Sequence, residues 1–321
     1  DGDVRISNYA AFGNLLLAQS YPTNAPACDI TVNGDLAVTS SGFIYGPGRG
    51  IRSGTSAISY HGGLYSGAAS TLAYDSILNP AYPGNNGQNG DAGNTNPGGG
   101  TVQVTVTGTI THDGVATVAP VTKNTSWNRG SGGTLNITAA YLDGSGSMTA
   151  SGTGGSGTYY SGAGGRISVR LTGPGATFNE FGTDDINANG GTHSAGTAVL
   201  MASAGTVYLQ TGAQAEGAGT LIVRNTGHAT NTAVTPIPAT RWGGENDVLD
   251  AASISIEANA RVALTASLKM RQAAMSAGTV LELNGKTFIV RGMTAGGVKV
   301  EPGTYAPGSK LFTDGYAVDS V

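Results

Sequence analysis

Apolar and polar positions alternate in short runs along this chain. Val102, Val104 and Val106 are separated by Gln103 and Thr105, Leu135 and Ile137 by Asn136, Ile167 and Val169 by Ser168, and Val207 and Leu209 by Tyr208. A period of two puts alternate side chains on opposite faces of a β-strand. Each run follows a pair of small residues. The units read GGTVQVTVTGTITHDG from Gly99, GGTLNITAAYLDGSGSMTASG from Gly132, GGRISVRLTGPGATFNEFGTDDINANGG from Gly164 and AGTVYLQTGAQAEGAGTLIVRN from Ala204. Their starting points are 33, 32 and 40 residues apart. A second short strand is predicted in each unit, at Thr109–Thr111, Ser147–Ala150, Asp185–Ala188 and Thr220–Val223, before a glycine-rich loop leads to the next.

Repeats of this length point to stacked units. One unit alone cannot bury its inward face, but neighbours bury it in a continuous column. Small side chains suffice when each packs on its counterpart above and below. Val102, Val104, Ile137, Ile167, Val169, Val207 and Leu209 are the expected inward set. Glycines are expected where the chain turns sharply or takes positive φ. On that reading the low-complexity stretch Gly144–Val169 (GSGSMTASGTGGSGTYYSGAGGRISV) is corner and loop between strands.

The same pattern extends outward. Asp29–Gly42 turns at Asn33-Gly34, Ala252–Ala266 at Ala258-Asn259, and Thr279–Gly292 at Asn284-Gly285. Val298–Tyr305 and Tyr316–Val321 supply the last short strands. Met270–Met275 (MRQAAM) is assigned to a corner. The strands thin out between Gly50 and Gly100.

Composition favours β-structure. There are 53 glycines in 321 residues, 11% of residues are charged, and the formal net charge is −4. Each glycine costs a helix roughly 1 kcal/mol, and so neutral a chain lacks the charge of a solvated coil. No basic stripe suggests nucleic acid. The longest apolar run, Phe12–Ala18, is far short of the ~20 residues that span a bilayer. The chain opens at Asp1 with no charged or apolar leader, so an export signal is expected to be removed or absent. The lone Cys28 excludes an internal disulfide and reads as a small buried hydrophobe. Asn124-Thr125-Ser126 and Asn136-Ile137-Thr138 fit the glycosylation pattern, the second inside an expected strand.

Candidate chemistry is sparse. His61, His112, His193 and His228 lack metal-ligand spacing. Asp184 and Asp185, placed on a strand, would point to opposite faces and make a poor acid/base couple. Glu180, Glu245 and Asp247 fall in expected loops. The insertion gathers Arg49, Arg52, Tyr60, His61, Tyr65 and Tyr74, the residue types of a lyase groove or a covering loop. With Trp127, Tyr159 and Tyr160, its aromatics are candidates for stacking on sugars or a partner. The segment NNGQNGDAGNTN, with Asn86, Asn89 and Asp91, is a calcium candidate loop. It lacks the closing glutamate of the helix–loop–helix pattern and has a single carboxylate.

The segments SYHGGLYSG, GGTVQVTVTGTI, GGTLNITA, GAGGRISV, INANGG and AGTVYLQTGAQAEGAGTLIVRN resemble the glycine-rich repeats of secreted bacterial surface proteins. LELNGKTFIVRGMTAGGVKVEPGTY resembles the last turns of autotransporter-like passenger repeats. The likeness covers roughly residues 30–310. It implies export, a bacterial origin and an all-β, right-handed parallel β-helix (a solenoid) with an irregular N-terminal cap and glycine-rich loop insertions. Residues 1–28 are then a cap or donated segment. Residues 29–321 form a single β-helix domain, with a loop-rich insertion at 50–100 and tight C-terminal turns at 250–321. The resemblance carries no catalytic signature. The expected function is a non-enzymatic extracellular structural or adhesive protein. Its partners are copies of itself, in a filament or sheath, or surface glycans. The alternative is a polysaccharide-binding or polysaccharide-degrading β-helix.

Overall fold

The computed structural model describes residues 2–6, 28–48, 50, 60–88, 95–228, 232–240, 247–295 and 310–313. Nearly all of its regular structure is strand, paired in parallel except where Gly87–Gln88 meets Thr95–Asn96 and Thr206–Gln210 meets Thr220–Arg224. The first strands are β1 (Val4–Ile6), β2 (Cys28–Val32), β3 (Leu36–Val38), β4 (Phe43–Tyr45), β5 (Gly87–Gln88), β6 (Thr95–Asn96) and β7 (Thr101–His112). There follow β8 (Val115–Thr117), β9 (Thr134–Asp143), β10 (Ser147–Thr149), β11 (Arg166–Leu171), β12 (Ile186–Asn187), β13 (Thr206–Gln210) and β14 (Thr220–Arg224). The last are β15 (Thr235–Ile237), β16 (Ser253–Glu257), β17 (Arg261–Leu264), β18 (Leu268–Met275), β19 (Val280–Glu282), β20 (Thr287–Ala295) and β21 (Lys310–Thr313). Helix among the described residues is limited to single 3-10 turns at Ser70–Leu72, Thr183–Asp185 and Ala198–Leu200. None is long and apolar enough to cross a membrane.

The main sheet has twelve strands, in the order β1-β3-β7-β9-β11-β13-β14-β16-β18-β20-β21, with β2 also on β7. Thr101, Thr134, Arg166 and Thr206 are aligned partners, which reproduces the sequence offsets of 33, 32 and 40 residues. The alignment makes two inward columns, Val102–Leu135–Ile167–Val207 and Val104–Ile137–Val169–Leu209. Every member is buried, so all seven residues expected inward are inward. A second parallel sheet, β12-β10-β8-β4, stacks Ile186, Met148, Ala116 and Ile44 as a third buried column.

Several local expectations are corrected. Thr109–Thr111 belongs to β7, which runs on to His112; the second strand of that unit is β8, after the turn at Asp113-Gly114. Met270–Met275 is strand, with Met270, Ala273 and Met275 buried. The glycine pairs that open the units have no positive φ. They are sites of close backbone contact: a Cβ at Gly132 would lie 1.6 Å from the Ala150 carbonyl oxygen, and one at Gly205 1.7 Å from that of Gly165.

The largest correction concerns Thr220–Val223. It lies in β14, which pairs antiparallel with β13 in the main sheet. Strands β1 to β13 of that sheet are mutually parallel, as are β14 to β21, so strand direction reverses once at this joint. The core changes face there too. Val207, Leu209 and Ile222 pack in one hydrophobic cluster, whereas Tyr208, Leu221 and Val223 pack in another. Alternate residues of a strand face opposite ways, so the two cores lie on opposite faces of one continuous sheet. Beyond β16 the repeat tightens. Ser253 aligns with Gln272 and Leu268 with Phe288, steps of 19 and 20 residues.

Candidate functional site

Residues 60–85 lie across the outer face of β9, β11 and β13, and here most of the buried charge collects. Arg166 opens β11 and is fully buried. Its Nε and Nη2 donate to the Tyr74 carbonyl at 3.0 and 2.9 Å, and Nη1 donates to Thr206 Oγ1 at 2.8 Å. Burial lowers its pKa, opposed by the nearby Asp75 and Asp247 carboxylates.

Asp75 sits at φ +74° at the bend of this segment. It accepts from the backbone N–H groups of Ser76, Ala81 and Tyr82, and from Thr134 Oγ1. It also faces His61 Nε2 at 3.3 Å. The other ring nitrogen of His61, Nδ1, is 2.9 Å from the Gly132 carbonyl oxygen, and the ring stacks on Tyr74 at 4.6 Å. Asp247, preceding β16, accepts from Ser76 Oγ at 2.5 Å and from the Ile77 N–H at 2.6 Å. Burial raises its pKa, and these hydrogen bonds oppose the rise. A cavity of about 640 Å³ opens beside Asp75 and Asp247, walled by Leu78, Tyr82, Glu216 and Val248. Both aspartates already hold backbone donors. Their arrangement pins residues 60–85 to both halves of the molecule.

The structure brings several of the sequence candidates together. Tyr65 and Tyr160 meet edge to face at 5.1 Å, and Tyr60 meets Tyr74 at 6.1 Å. Burial, then the neighbouring Tyr160 and Tyr60 phenols, raise the Tyr65 pKa. Tyr60, Tyr65, Tyr159 and Tyr160 are all half-buried. Trp127 stands apart in the loop after β8. Its carbonyl accepts from Arg129 Nη1, and that guanidinium also binds the carbonyls of Asn124, Thr125 and Gly154. Asn86 is buried, and its Oδ1 accepts from the Gly98 N–H at 2.8 Å, an internal tie between loops. Arg49, Arg52, Asn89, Asp91 and Glu245 lie outside the described residues.

Asn136 is buried under the insertion and donates to the Pro80 carbonyl, so that glycosylation motif is covered. Asp184 and Asp185 lie in a 3-10 turn instead of on a strand. Cys28 is half-buried on β2, its pKa raised by burial and then by Asp29. No three His, Cys, Asp or Glu side chains among the described residues gather as a metal site would require. Sequence reasoning missed Arg166 and Asp75, and noted Asp247 only as a loop carboxylate. Arg166 alone left a signal: a charged residue at the first position of an inward-packed strand.

No family model matches the chain, and no curated protein or solved structure matches it.

Proposed function

We propose that this chain is a right-handed parallel β-helix, reversed once in strand direction, that serves as a non-enzymatic extracellular structural or adhesive module of a bacterial surface. The observation that carries the reading is the use made of buried charge. Arg166, Asp75, His61 and Asp247 are spent on backbone groups that clamp a covering segment onto a stack of aligned strands. This builds a rigid scaffold of repeated strands. Right-handedness follows from the strong preference for right-handed crossovers between parallel strands. Self-association into a filament or sheath belongs to the same proposal. Electron microscopy of the purified protein tests it: long species are expected, and protein that stays monomeric at high concentration, with or without calcium, defeats the filament reading.

A second reading, a polysaccharide-binding protein, is favoured by the convergence of Tyr60, Tyr65 and Tyr160, since half-buried rings offer stacking faces to sugars. The lyase form of that reading has less support, because both ring nitrogens of His61 face buried oxygen partners. New reducing ends or unsaturated product from acidic or neutral polysaccharides, lost in Tyr60→Phe, would establish the lyase instead.

A further inference from the structure

The four-stranded sheet turns one face into the first core and the other outward. On the outward face Asn187, Thr149, Thr117 and Tyr45 stand in one register line. Ser147, Val115 and Phe43 form a second line beside it. All seven are half-buried. Adjacent strands lie about 4.8 Å apart, so the first line offers one hydrogen-bonding side chain per strand.

At β12 the lines open into a trough of about 400 Å³. Asp184, Asp185, Arg224 and Thr226 line it. The reversal of strand direction creates this space. The chain after β13 returns along the main sheet as β14, so no strand follows β12 in the four-stranded sheet. The segment after β14 is instead tied alongside by amide side chains: Gly190 N–H donates to Asn225 Oδ1 at 2.9 Å, and Thr226 N–H to Asn189 Oδ1 at 3.1 Å. The walls are preset. Arg224 is held by Asp184 Oδ1 at 3.1 Å, Glu257 Oε2 at 2.8 Å and the Thr183 carbonyl at 3.3 Å. Asn187 Nδ2 donates to the Asp184 carbonyl at 2.7 Å.

We propose that this trough, with the hydroxyl and amide line leading from it, binds a neutral, hydroxyl-bearing polysaccharide laid across the strands. The proposal rests on the adhesive reading and supplies its ligand class. The lining carries hydroxyl and amide groups of Ser147, Thr149, Asn187 and Thr226. Thr149 Oγ1 also donates to Ser151 Oγ at 3.1 Å and Asn187 Nδ2 to the Asp184 carbonyl. The remaining protons and lone pairs suit hydroxyl groups that both donate and accept. Two lining carboxylates, Asp184 and Asp185, outnumber the one guanidinium, Arg224, which disfavours uronate, sulfated or phosphate-bearing polymers. A line repeated over four strands fits a repeating polymer better than a single sugar.

Affinity electrophoresis tests this, with gels containing hydroxyethylcellulose, laminarin, galactomannan or polygalacturonate. Retardation by at least one of the three neutral polymers and none by polygalacturonate is expected. Ser147→Arg, which projects a long side chain into the trough, and Thr149→Val, which keeps its shape, should each weaken binding about tenfold or more. Circular dichroism melts confirm that both variants fold. Tyr65→Ala should bind as the parent does. Failure of all three neutral polymers to retard the protein overturns the proposal. So does binding that Ser147→Arg leaves intact. Binding lost only in Tyr65→Ala overturns the trough but keeps the adhesive reading. Protein that polymerises yet ignores every neutral polymer removes the trough and leaves the structural reading standing.

Discussion

A Cβ at Gly132 would stand 1.6 Å from the Ala150 carbonyl oxygen and 2.7 Å from the Gly165 nitrogen. Both neighbours are backbone, so neither can rotate away. Gly132→Ala is therefore expected to destabilise the protein by about 1–3 kcal/mol or more, the usual cost of overpacking, read as a lower midpoint in chemical denaturation. Gly157→Ala meets nothing within 4 Å but sits at φ +62°, so its smaller cost comes from backbone strain alone. Equal losses at the two sites would contradict the close-contact role of the glycine pairs. His112 makes a second argument at this scale. Its ring is buried against Phe181, Nε2 lies 3.1 Å from the Ser147 carbonyl, and Nδ1 has no hydrogen-bond partner. Burial lowers its pKa, opposed by the Ser147 bond and by Asp113. The unfolded chain takes up this proton at about pH 6.5, so between the two values it binds more protons than the folded one. This contribution is fully present above about pH 6.5 and is lost as pH falls through the lowered folded value. His112→Phe is expected to flatten that part of the stability profile. A profile unchanged between parent and variant would rule His112 out as its source.

At the scale of elements, the insertion at residues 60–85 depends on two carboxylates of unequal weight. Asp75 gathers donors from Ser76, Ala81, Tyr82 and Thr134, all close to the main sheet. Asp247 holds Ser76, Ile77 and Leu78, and reaches them from the other half of the molecule. Asp247→Ala leaves those donors unmatched, at about 1–3 kcal/mol. Asp75→Ala leaves more donors and the buried His61 unmatched, and should cost more. Limited proteolysis and hydrogen exchange should show residues 60–85 opening in both variants while β9 and β11 stay protected. Loss of protection throughout β9 and β11 in Asp247→Ala would mean the segment is part of the core, not a clasp.

The strands themselves were legible because small-residue pairs and alternating valines mark each start, and stacking preserves that spacing as register. The covering segment was not legible. The contacts that fasten it to the sheet join residues far apart in sequence, as Arg166 and Tyr74 are, and no local pattern encodes them. Nor was the strand at Met270–Met275, whose outward Arg271 and Gln272 mask the inward Met270, Ala273 and Met275. The tyrosine cluster was half legible: Tyr60 and Tyr65 are close in sequence, but only the fold adds Tyr160.

At the scale of the whole molecule, the reversal between β13 and β14 decides whether the chain unfolds as one body or two. Thr220–Arg224 carries three consecutive apolar residues, Leu221, Ile222 and Val223, and an apolar run carries no strand direction, so sequence alone left the joint unseen. The joint is well buried. All five residues of β13 are buried, and so are Leu221, Ile222 and Val223 at the centre of β14. The Tyr208 hydroxyl closes the hairpin, donating to Gln210 Oε1 and accepting from the Gly219 N–H, each at 2.9 Å. Ile222 faces the first core and Leu221 the second, one residue apart on the same strand. Truncating either leaves a cavity worth about 2–5 kcal/mol. If the shared sheet couples the two halves, Leu221→Ala and Ile222→Ala will each lower a single calorimetric transition, and both cores will lose exchange protection together. If the halves are independent, two transitions will appear, with Leu221→Ala lowering only the one that reports β16 to β20. A single transition shifted by both variants is expected, because neither core can open at the joint without stripping the cover from one face of β13 and β14.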